Sequence, residues 1–386
     1  MTINIGTFLV ENGTNDADYN YSIKSGEAYF GRGNDDYLFS YANASLSDAN
    51  STWNIPSILV GGAGADNYAL SSDSHTIIFD ADRGNSNDVL NIFWDIDTLS
   101  SFITLDNRHL FITLWNGFSS VLVVDGMNLN GSIESIKFGD ISFNGSPESI
   151  STLINLYSQG NYSTEEAISS GFFNPKLMGV NNASEVKSTI KDIYKEASRW
   201  GAAGLYKSYS GNSYDYIIKE NSQDNYSLIN EGTPDPITGY TFLRFADKDL
   251  FIIDDIKETF DQVTGLNTDS GKMFRLYNAA FKRLPDADGL RYWIGKYSSG
   301  VNDDRAVASS FLVSDEFALR YGTDITDTTY VNTLYKNVLG RDADTSGLNY
   351  WLGQLNSGAE TRYEVLLGFS ESAENKALFT DMTGFG

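Results

Sequence analysis

The spacing of apolar residues changes along the chain and divides it into three parts. In residues 1–145, short β-branched and aromatic runs such as Ser74–Phe79 and Val121–Val124 are separated by Gly, Asn, Asp and Ser, which is typical of β-strands joined by turns. Residues 146–268 are mixed, and residues 269–386 show the periodicity of amphipathic helices. The pattern predicts a multi-domain α+β protein with a β-rich N-terminal domain, a mixed middle segment and an all-α C-terminal domain.

The middle segment contains signals of both kinds. Ser163 and Glu166 have the spacing of a capping box, and Ser184–Ala203 carries apolar residues at helical spacing. The polar stretch Asn221–Gly239 holds two prolines, so a loop is predicted there, followed by a strand-like stretch at Tyr240–Phe245.

The C-terminal domain is a tandem duplication. Copies spanning about 276–322 and 334–380 match without a gap at a shift of 58 positions. Repeated units of this kind bury their apolar faces against each other, so both copies are expected to share one helical core. The matching pairs include Arg283 and Arg341, Gly289 and Gly347, Trp293 and Trp351, Phe311 and Phe369, and Glu316 and Glu374.

Charge and composition exclude several classes of protein. The chain has 51 acidic and 27 basic residues, a formal net charge of -24 and no cysteine. Nucleic acid and anionic membrane surfaces would repel such a chain, and neither disulfides nor thiolate metal sites can form. No apolar run is long enough to span a bilayer. The start Met1–Gly6 lacks the basic and apolar regions of a secretory signal, so no signal peptide is expected. Halophilic adaptation would explain the balance of charge, but not the positions of the aspartates.

Two stretches of the β-rich domain carry a glycine and aspartate motif. Gly31–Tyr37 and Gly62–Tyr68 both read G-x-G-[NA]-D-x-Y, 31 residues apart. Glycine permits tight turns with carbonyls pointing inward, and aspartate supplies oxygen ligands for a hard cation such as Ca²⁺. A pair of metal-free β-turns is the alternative, and Gly13–Tyr19 reads as a degenerate further copy.

Gly61–Tyr68 resembles the RTX nonapeptide G-G-x-G-x-D-x-U-x, which builds a calcium-binding parallel β-roll. The flanks Ile77–Gly84 and Asn87–Leu90 and the later Ile133–Asp140 are also similar to that family. The resemblance implies an RTX-like parallel β-roll in which consecutive turns share Ca²⁺. The metal residues that it implies are Gly31, Gly33, Asp35, Gly62, Gly64, Asp66, Asp80, Asp82 and Asp88.

The helical copies carry a second resemblance. Arg283–Trp293 and Arg341–Trp351 look like the phycobilisome-linker-like domain of unknown function that often follows RTX repeats in exported bacterial proteins, and Leu243–Asp249 resembles the β stretch that leads into it. Asp342 begins an EF-hand-like loop, but the twelfth position of that loop is Gly353, where an EF-hand has a bidentate Glu. Helix capping by Asp344 and by its counterpart Asp286 is therefore the better interpretation. The aromatic pairs Tyr292-Trp293 and Tyr350-Trp351 are interpreted as core residues, with sugar stacking as the alternative.

No catalytic constellation is evident. The two histidines, His75 and His109, lie in predicted strands and are interpreted as packing or surface residues, and zinc-protease, nucleophile-elbow and nucleotide-binding motifs are missing from the sequence. The protein is therefore not expected to be an enzyme. A secreted glycan hydrolase using paired carboxylates such as Glu165 and Glu166, or Asp215 and Glu220, is the alternative.

The sequence thus suggests a calcium-binding structural protein of the bacterial cell surface, such as a surface-layer or matrix component. Export without a cleavable signal, by the type I route, and folding triggered by extracellular Ca²⁺ are expected. The helical repeat would bind surface polysaccharide or another copy of the chain; neither nucleic acid nor membrane insertion is expected. A calcium-dependent adhesin or partner-binding module is the alternative.

Overall fold

A computed structural model gives the fold of the chain. It divides into two compact units, Met1–Leu205 and Tyr206–Gly386. The N-terminal unit is β-rich with mixed, largely parallel sheets, and the C-terminal unit ends in an all-helical region, which confirms the predicted α+β class. The predicted three-domain boundaries stay a prediction.

The structure describes residues 9–12, 17–18, 21–24, 27–31, 34–41, 56–70, 74–80, 87–115, 119–127, 133–144, 152–153, 155, 160–199, 206–230 and 232–386.

The first eight strands coil as a parallel β-roll. They are β1 (Leu9–Asn12), β2 (Tyr21–Lys24), β3 (Glu27–Phe30), β4 (Tyr37–Tyr41), β5 (Ser57–Val60), β6 (Asn67–Leu70), β7 (His75–Phe79) and β8 (Val89–Ile92). The odd-numbered strands pair in parallel in one sheet and the even-numbered strands in a second. The chain therefore crosses to the other sheet after each strand, and equivalent positions of successive turns stack above one another.

Six further strands extend the two sheets. They are β9 (Leu99–Leu105), β10 (His109–Leu114), β11 (Ser119–Val123), β12 (Ser135–Phe138), β13 (Ile141–Asn144) and β14 (Gly160–Tyr162). The eight-stranded sheet has the order β1-β3-β5-β7-β11-β10-β9-β14, and the six-stranded sheet has the order β13-β12-β8-β6-β4-β2. β12 adds to β8 in parallel and turns back into β13 through an antiparallel pair.

Apolar side chains fill the space between the two sheets and also cover the outer face of the larger one. Tyr29 and Ile78 from one sheet and Leu38 and Leu90 from the other belong to the same buried cluster. Strands that are buried on both faces read as nearly continuous apolar runs, as β7 and β10 do. A short 3₁₀ turn, Ile96–Thr98, leads into β9.

Helices of the same unit pack on the larger sheet. They are α1 (Thr164–Ser169) and α2 (Ala183–Arg199), with a 3₁₀ turn at Pro175–Met178. The capping box at Ser163 is confirmed, because its hydroxyl accepts from the Glu166 N–H. On α2, Tyr194 packs edge-on against Phe79 and donates a hydrogen bond to the buried Asp125. The predicted helix over 184–203 is thus confirmed as far as 199; the rest lies outside the described residues.

The C-terminal unit begins with two small sheets. Their strands are β15 (Tyr206–Ser208), β16 (Ile217–Ser222), β17 (Asn225–Asn230), β18 (Thr233–Pro236), β19 (Phe242–Arg244) and β20 (Asp249–Phe251), with a 3₁₀ turn at Ser213–Asp215. The predicted loop over 221–239 is wrong, since β17 and β18 pair there. β18 is an edge strand, where proline is tolerated because one side of the strand needs no ladder hydrogen bonds, and Pro234 and Pro236 lie on it.

Helices make up the rest of the unit, and both copies share one core, as predicted. Arg283 pairs with Glu316 in copy one, and Arg341 pairs with Glu374 in copy two. Of the described residues, none forms a helix with the length and apolarity of a membrane span. A π-helical stretch, Ile252–Lys257, leads into α3 (Glu258–Phe260), α4 (Asp269–Phe281), α5 (Ala287–Ser298), α6 (Asp304–Leu312), α7 (Asp315–Tyr321), α8 (Asp327–Leu339), α9 (Thr345–Ser357), α10 (Arg362–Ser370) and α11 (Ala373–Thr383).

Candidate metal centre

An acidic residue stands directly before four strands of the six-stranded sheet. Asp36 precedes β4, Asp66 precedes β6, Asp88 precedes β8 and Glu134 precedes β12. Because these strands are parallel and their registers match, the four residues occupy equivalent positions on successive strands. Asp18 extends the series, since its carbonyl accepts from the residue after Asp36. We refer to these five residues as the acidic column.

Hydrogen bonds from main-chain N–H groups to side-chain carboxylates link the acidic column from end to end. The N–H of Asp18 donates to Oδ1 of Asp36, and the N–H of Asp36 donates to Oδ1 of Asp66, both over 2.9 Å. The N–H of Asp66 donates to Oδ1 of Asp88, and that of Asp88 donates to Oε2 of Glu134, both over 2.7 Å. From Asp36 onward, each carboxylate therefore accepts from the backbone of the preceding turn.

A buried aspartate of the other sheet meets the column. Asp80 directly follows β7, and one carboxylate oxygen from each of Asp66, Asp80 and Asp88 lies within 4.8 Å of the others. The three residues are 1%, 4% and 0% exposed. Three buried carboxylates so close together repel one another unless protons or a cation reduce their charge.

Burial, and to a smaller extent this crowding, raises pKa values in the column. Burial raises the pKa of Asp66 to about 7; the charges of Asp36 and Asp88 act in the same direction, while N–H donors from Asp36 and Gly62 oppose them. Burial likewise raises the pKa of Asp36 to about 6. Near neutral pH the column is therefore an unfavourable arrangement of negative charge, which a bound cation would relieve.

Two glycines allow the carboxylates to approach the backbone. Gly31 follows β3 and Gly61 follows β5. A Cβ atom at Gly61 would overlap the Tyr68 hydroxyl and Oδ2 of Asp66, and one at Gly31 would overlap Oδ2 of Asp36. The absence of a side chain at these two positions is thus required by close contact.

Tyrosine hydroxyls hold the carboxylates on the inner side. Tyr68 donates to Oδ2 of Asp80 over 2.8 Å, and Tyr29 donates to Oδ2 of Asp18 over the same distance. Burial and the neighbouring carboxylates raise the pKa of Tyr68 well above its ordinary value, so it stays protonated and donates.

Of the metal residues that the sequence implied, the structure brings Asp66, Asp80 and Asp88 together. The Gly62 N–H donates to Oδ2 of Asp66 over 3.0 Å, and Gly64 adopts φ +134°. Two other predicted residues lie away from the triad: Gly31 adjoins Asp36, and Asp35 is exposed and accepts from the Ala65 N–H. Gly33, Asp82 and most of Gly13–Tyr19 lie outside the described residues.

The pairing of the two motif copies in the sheet differs from the alignment of their sequences. The match at 31 residues placed Asp35 opposite Asp66, but β4 and β6 pair at a shift of 30, which places Asp36 there instead. Sequence reasoning therefore missed Asp36, as well as Tyr68 and Glu134. The signal that could have found Asp36 is its position directly before an apolar strand, which it shares with Asp66 and Asp88.

The donor set fits a hard cation such as Ca²⁺. All three side chains of the triad offer carboxylate oxygens, which Ca²⁺ prefers, and a carboxylate that accepts one or two hydrogen bonds keeps further lone pairs for coordination. In addition, Oδ2 of Asp36 is buried and, among the described residues, has no hydrogen-bond partner. A buried acceptor without a donor is costly, and a nearby cation would lower that cost.

The capping aspartates of the two helical copies lie where the sequence predicted. Asp286 caps α5 and Asp344 caps α9 through N–H bonds of 2.7 and 2.8 Å. Trp293 packs edge-on against Phe311, in contact with the core. The tyrosine beside each tryptophan differs from that prediction: Tyr292 is 55% and Tyr350 is 54% exposed, so neither is a core residue.

Both histidines begin strands. His75 begins β7 and lies 2.9 Å from the Ser120 hydroxyl, and the buried His109 begins β10 and accepts from the Asp125 N–H over 2.9 Å.

Comparison with known proteins identifies part of the helical region. Residues 308–379, from α6 of copy one to α11 of copy two, match the family described as a domain of unknown function (DUF4214). The β-roll is matched by no RTX repeat family. A search of curated proteins finds no significant match. The prediction of a C-terminal domain of unknown function is thus confirmed over residues 308–379.

Proposed function

We propose that the N-terminal unit is an RTX-like calcium-binding β-roll, and that the chain is an exported structural protein of the bacterial cell surface. The buried triad of Asp66, Asp80 and Asp88 is the observation that carries the proposal. It joins both sheets of the roll and concentrates negative charge where burial already disfavours it. Bound Ca²⁺ would be held by these three carboxylates and would supply the positive charge that the folded roll lacks.

Calcium would then act as a folding trigger. The triad draws its members from separate strands, so it exists only when the strands are paired, and binding free energy is added to the stability of the folded state. Extracellular sites of this kind bind with Kd of roughly 10⁻⁴ to 10⁻³ M. The roll would therefore stay loosely folded in a calcium-poor cytosol and would fold after export. Within this proposal, the helical unit serves as the module that contacts surface polysaccharide or another copy of the chain.

The test is a calcium titration of the full-length protein. We expect Ca²⁺ to increase β-sheet circular dichroism and to raise the urea midpoint of the N-terminal unit, whereas Mg²⁺ has little effect because its small octahedral shell suits this site poorly. Replacing Asp88→Asn should weaken both responses about tenfold or more in calcium concentration, since a coordinating charge is lost.

Asp140→Asn is the matched control, because Asp140 is exposed in the turn between β12 and β13. It should respond to calcium like the unmodified protein. A fully folded roll whose unfolding is the same in calcium and in chelator would refute the proposal.

A further inference from the structure

The two copies of the helical repeat differ in charge along one helix. In α5 of copy one, Asp288, Arg291 and Lys296 are charged; the equivalent residues of α9 are Ser346, Asn349 and Gln354. Residues 345–359 carry no charged side chain at all, and α9 is the one uncharged α-helix among those whose bounds are given above. In a chain with a net charge of -24, this helix is where two copies could approach with least repulsion.

All three changed positions lie on the same side of α9. On a helix, positions 346, 349, 350, 353 and 354 fall within one face, because residues three and four apart are neighbours. We define the α9 face as these five residues. Tyr350 stands in its middle, 54% exposed, and Gly353 is exposed beside it with open space where a side chain would be.

The equivalent face of α5 is as exposed as the α9 face, but its Arg291 and the side of the helix next to it contact the same chain. Arg291 pairs with Glu258 on α3 over 3.4 Å, and Gln262 donates to the Ala287 carbonyl over 3.0 Å. Leu290, which lies on this neighbouring side of α5, is fully buried, whereas its counterpart Leu348 is only half-buried.

The segment that could cover α9 in the same way is occupied elsewhere. The counterparts of Glu258 and Gln262 are Glu316 and Arg320 on α7. Glu316 pairs with Arg283, and Arg320 lies 3.7 Å from the centre of the Tyr214 ring. Copy two has therefore lost these contacts beside the α9 face, together with the charges on the face itself.

We propose that the α9 face is a contact surface for a second copy of this chain, with two α9 helices meeting about a twofold axis. The face is self-complementary, because the projecting Tyr350 ring and the flat position at Gly353 are three residues apart and can fit each other in a symmetric pair. An exposed tyrosine on an uncharged surface is typical of an interface anchor. This inference rests on the self-association role given above to the helical unit.

The experiment compares three full-length proteins by light scattering after size exclusion, at about 100 µM because small interfaces are weak. The unmodified protein should have twice the mass of one chain and should dissociate on dilution. Tyr350→Glu should have the mass of one chain, since two carboxylates would be brought close to the axis and to each other. Tyr292→Glu alters the equivalent, equally exposed tyrosine of copy one and should stay dimeric.

Each sample is measured in calcium and in chelator, so that this proposal and the calcium proposal fail separately. Dimers that persist in chelator and are lost in Tyr350→Glu support the α9 face whatever the roll does. A monomeric unmodified protein, or two tyrosine variants with the same behaviour, would overturn it. Retention of a monomeric protein on immobilised polysaccharide through Tyr350 would overturn it as well and would assign the face to a glycan.

Discussion

Asp36 and Asp66 are joined by one hydrogen bond, in which the Asp36 N–H donates to Oδ1 of Asp66 over 2.9 Å. The two residues lie 30 positions apart in sequence on adjacent strands. The same contact recurs along the acidic column, so the charge on each carboxylate interacts with a backbone N–H of the turn before it. The stability of the N-terminal unit should therefore depend on pH, on bound cations and on the size of the side chains next to the column.

Asp80→Asn should separate calcium binding from folding. The change removes one charge from the triad, while the amide oxygen can still accept from Tyr68. We expect the Kd for calcium to rise at least about tenfold, which is roughly 1.4 kcal/mol. Stability in chelator should be equal or higher, because repulsion with Asp66 and Asp88 is lost. Isothermal titration and urea unfolding measure the two effects, and an unchanged Kd would exclude Asp80 as a ligand.

Without calcium, the N-terminal unit should become more stable as the pH falls. The folded-state pKa of Asp66 is raised to about 7 and that of Asp36 to about 6, above the value of 3.8 for the unfolded chain. Stability from these groups is then fully present below pH 3.8 and is lost as the pH rises through 6 and 7. At about 1.4 kcal/mol per unit of pKa difference, Asp66 alone contributes at most roughly 4 kcal/mol.

The measurement is the urea midpoint in chelator at pH 8, 7, 6 and 5, which should rise in that order. Calcium should flatten this dependence, because the cation replaces the protons as the source of charge compensation. A midpoint that falls towards pH 5 in chelator would contradict the assignment of raised pKa values to the column.

Gly61→Ala should disrupt the roll. The added methyl group would overlap the Tyr68 hydroxyl and the Asp66 carboxylate in a fully packed region, so we expect a loss of about 3 kcal/mol and a weaker calcium response. Gly295→Ala is the comparison, because that glycine lies in α5 with open space around its Cα. Alanine there should add about 0.5–1 kcal/mol to the stability of the helix. Equal effects of the two changes on thermal unfolding would argue against close packing at Gly61.

Arg275→Met should destabilise the C-terminal unit far more than Arg341→Met. Arg275 is 1% exposed, forms a bidentate pair with Glu371 at 2.7 and 2.8 Å, and joins helix α4 of copy one to the end of α10 in copy two. Losing it should cost about 2–3 kcal/mol, since Glu371 is left in a partly buried site.

The Arg341 pair with Glu374 is exposed on both sides, so its loss should cost under about 1 kcal/mol. Chemical unfolding of the two variants tests the difference. Similar values for both would mean that Arg275 does not join the two copies.

Sequence patterns predicted the elements that depend on local chemistry. Turn residues between apolar runs predicted the strands. The caps at Asp286 and Asp344 could be predicted because they depend only on residues within one turn of each helix. The strand pair at β17 and β18 was missed because pairing depends on a partner strand, which overrides the local preference of Pro234 and Pro236 for a loop.

The candidate site was predicted only in part for the same reason. Asp66 stands out in a glycine-rich motif, and Asp80 and Asp88 stand out in its flanks. Asp36 does not, because its role depends on a register that differs by one residue from the best match between the motifs. A shift of one residue exchanges the two faces of a strand, so local similarity cannot replace the strand pairing itself. The contacts of Tyr68 and Glu134 depend on residues 12 and 46 positions away.

The acidic column also has a direction. The N–H of each member before Glu134 donates to a carboxylate that occurs later in the chain, and the series ends at Glu134. During synthesis, each turn must therefore wait for the next one before its own backbone is satisfied. The ladder as a whole can therefore be complete only after Glu134 has left the ribosome.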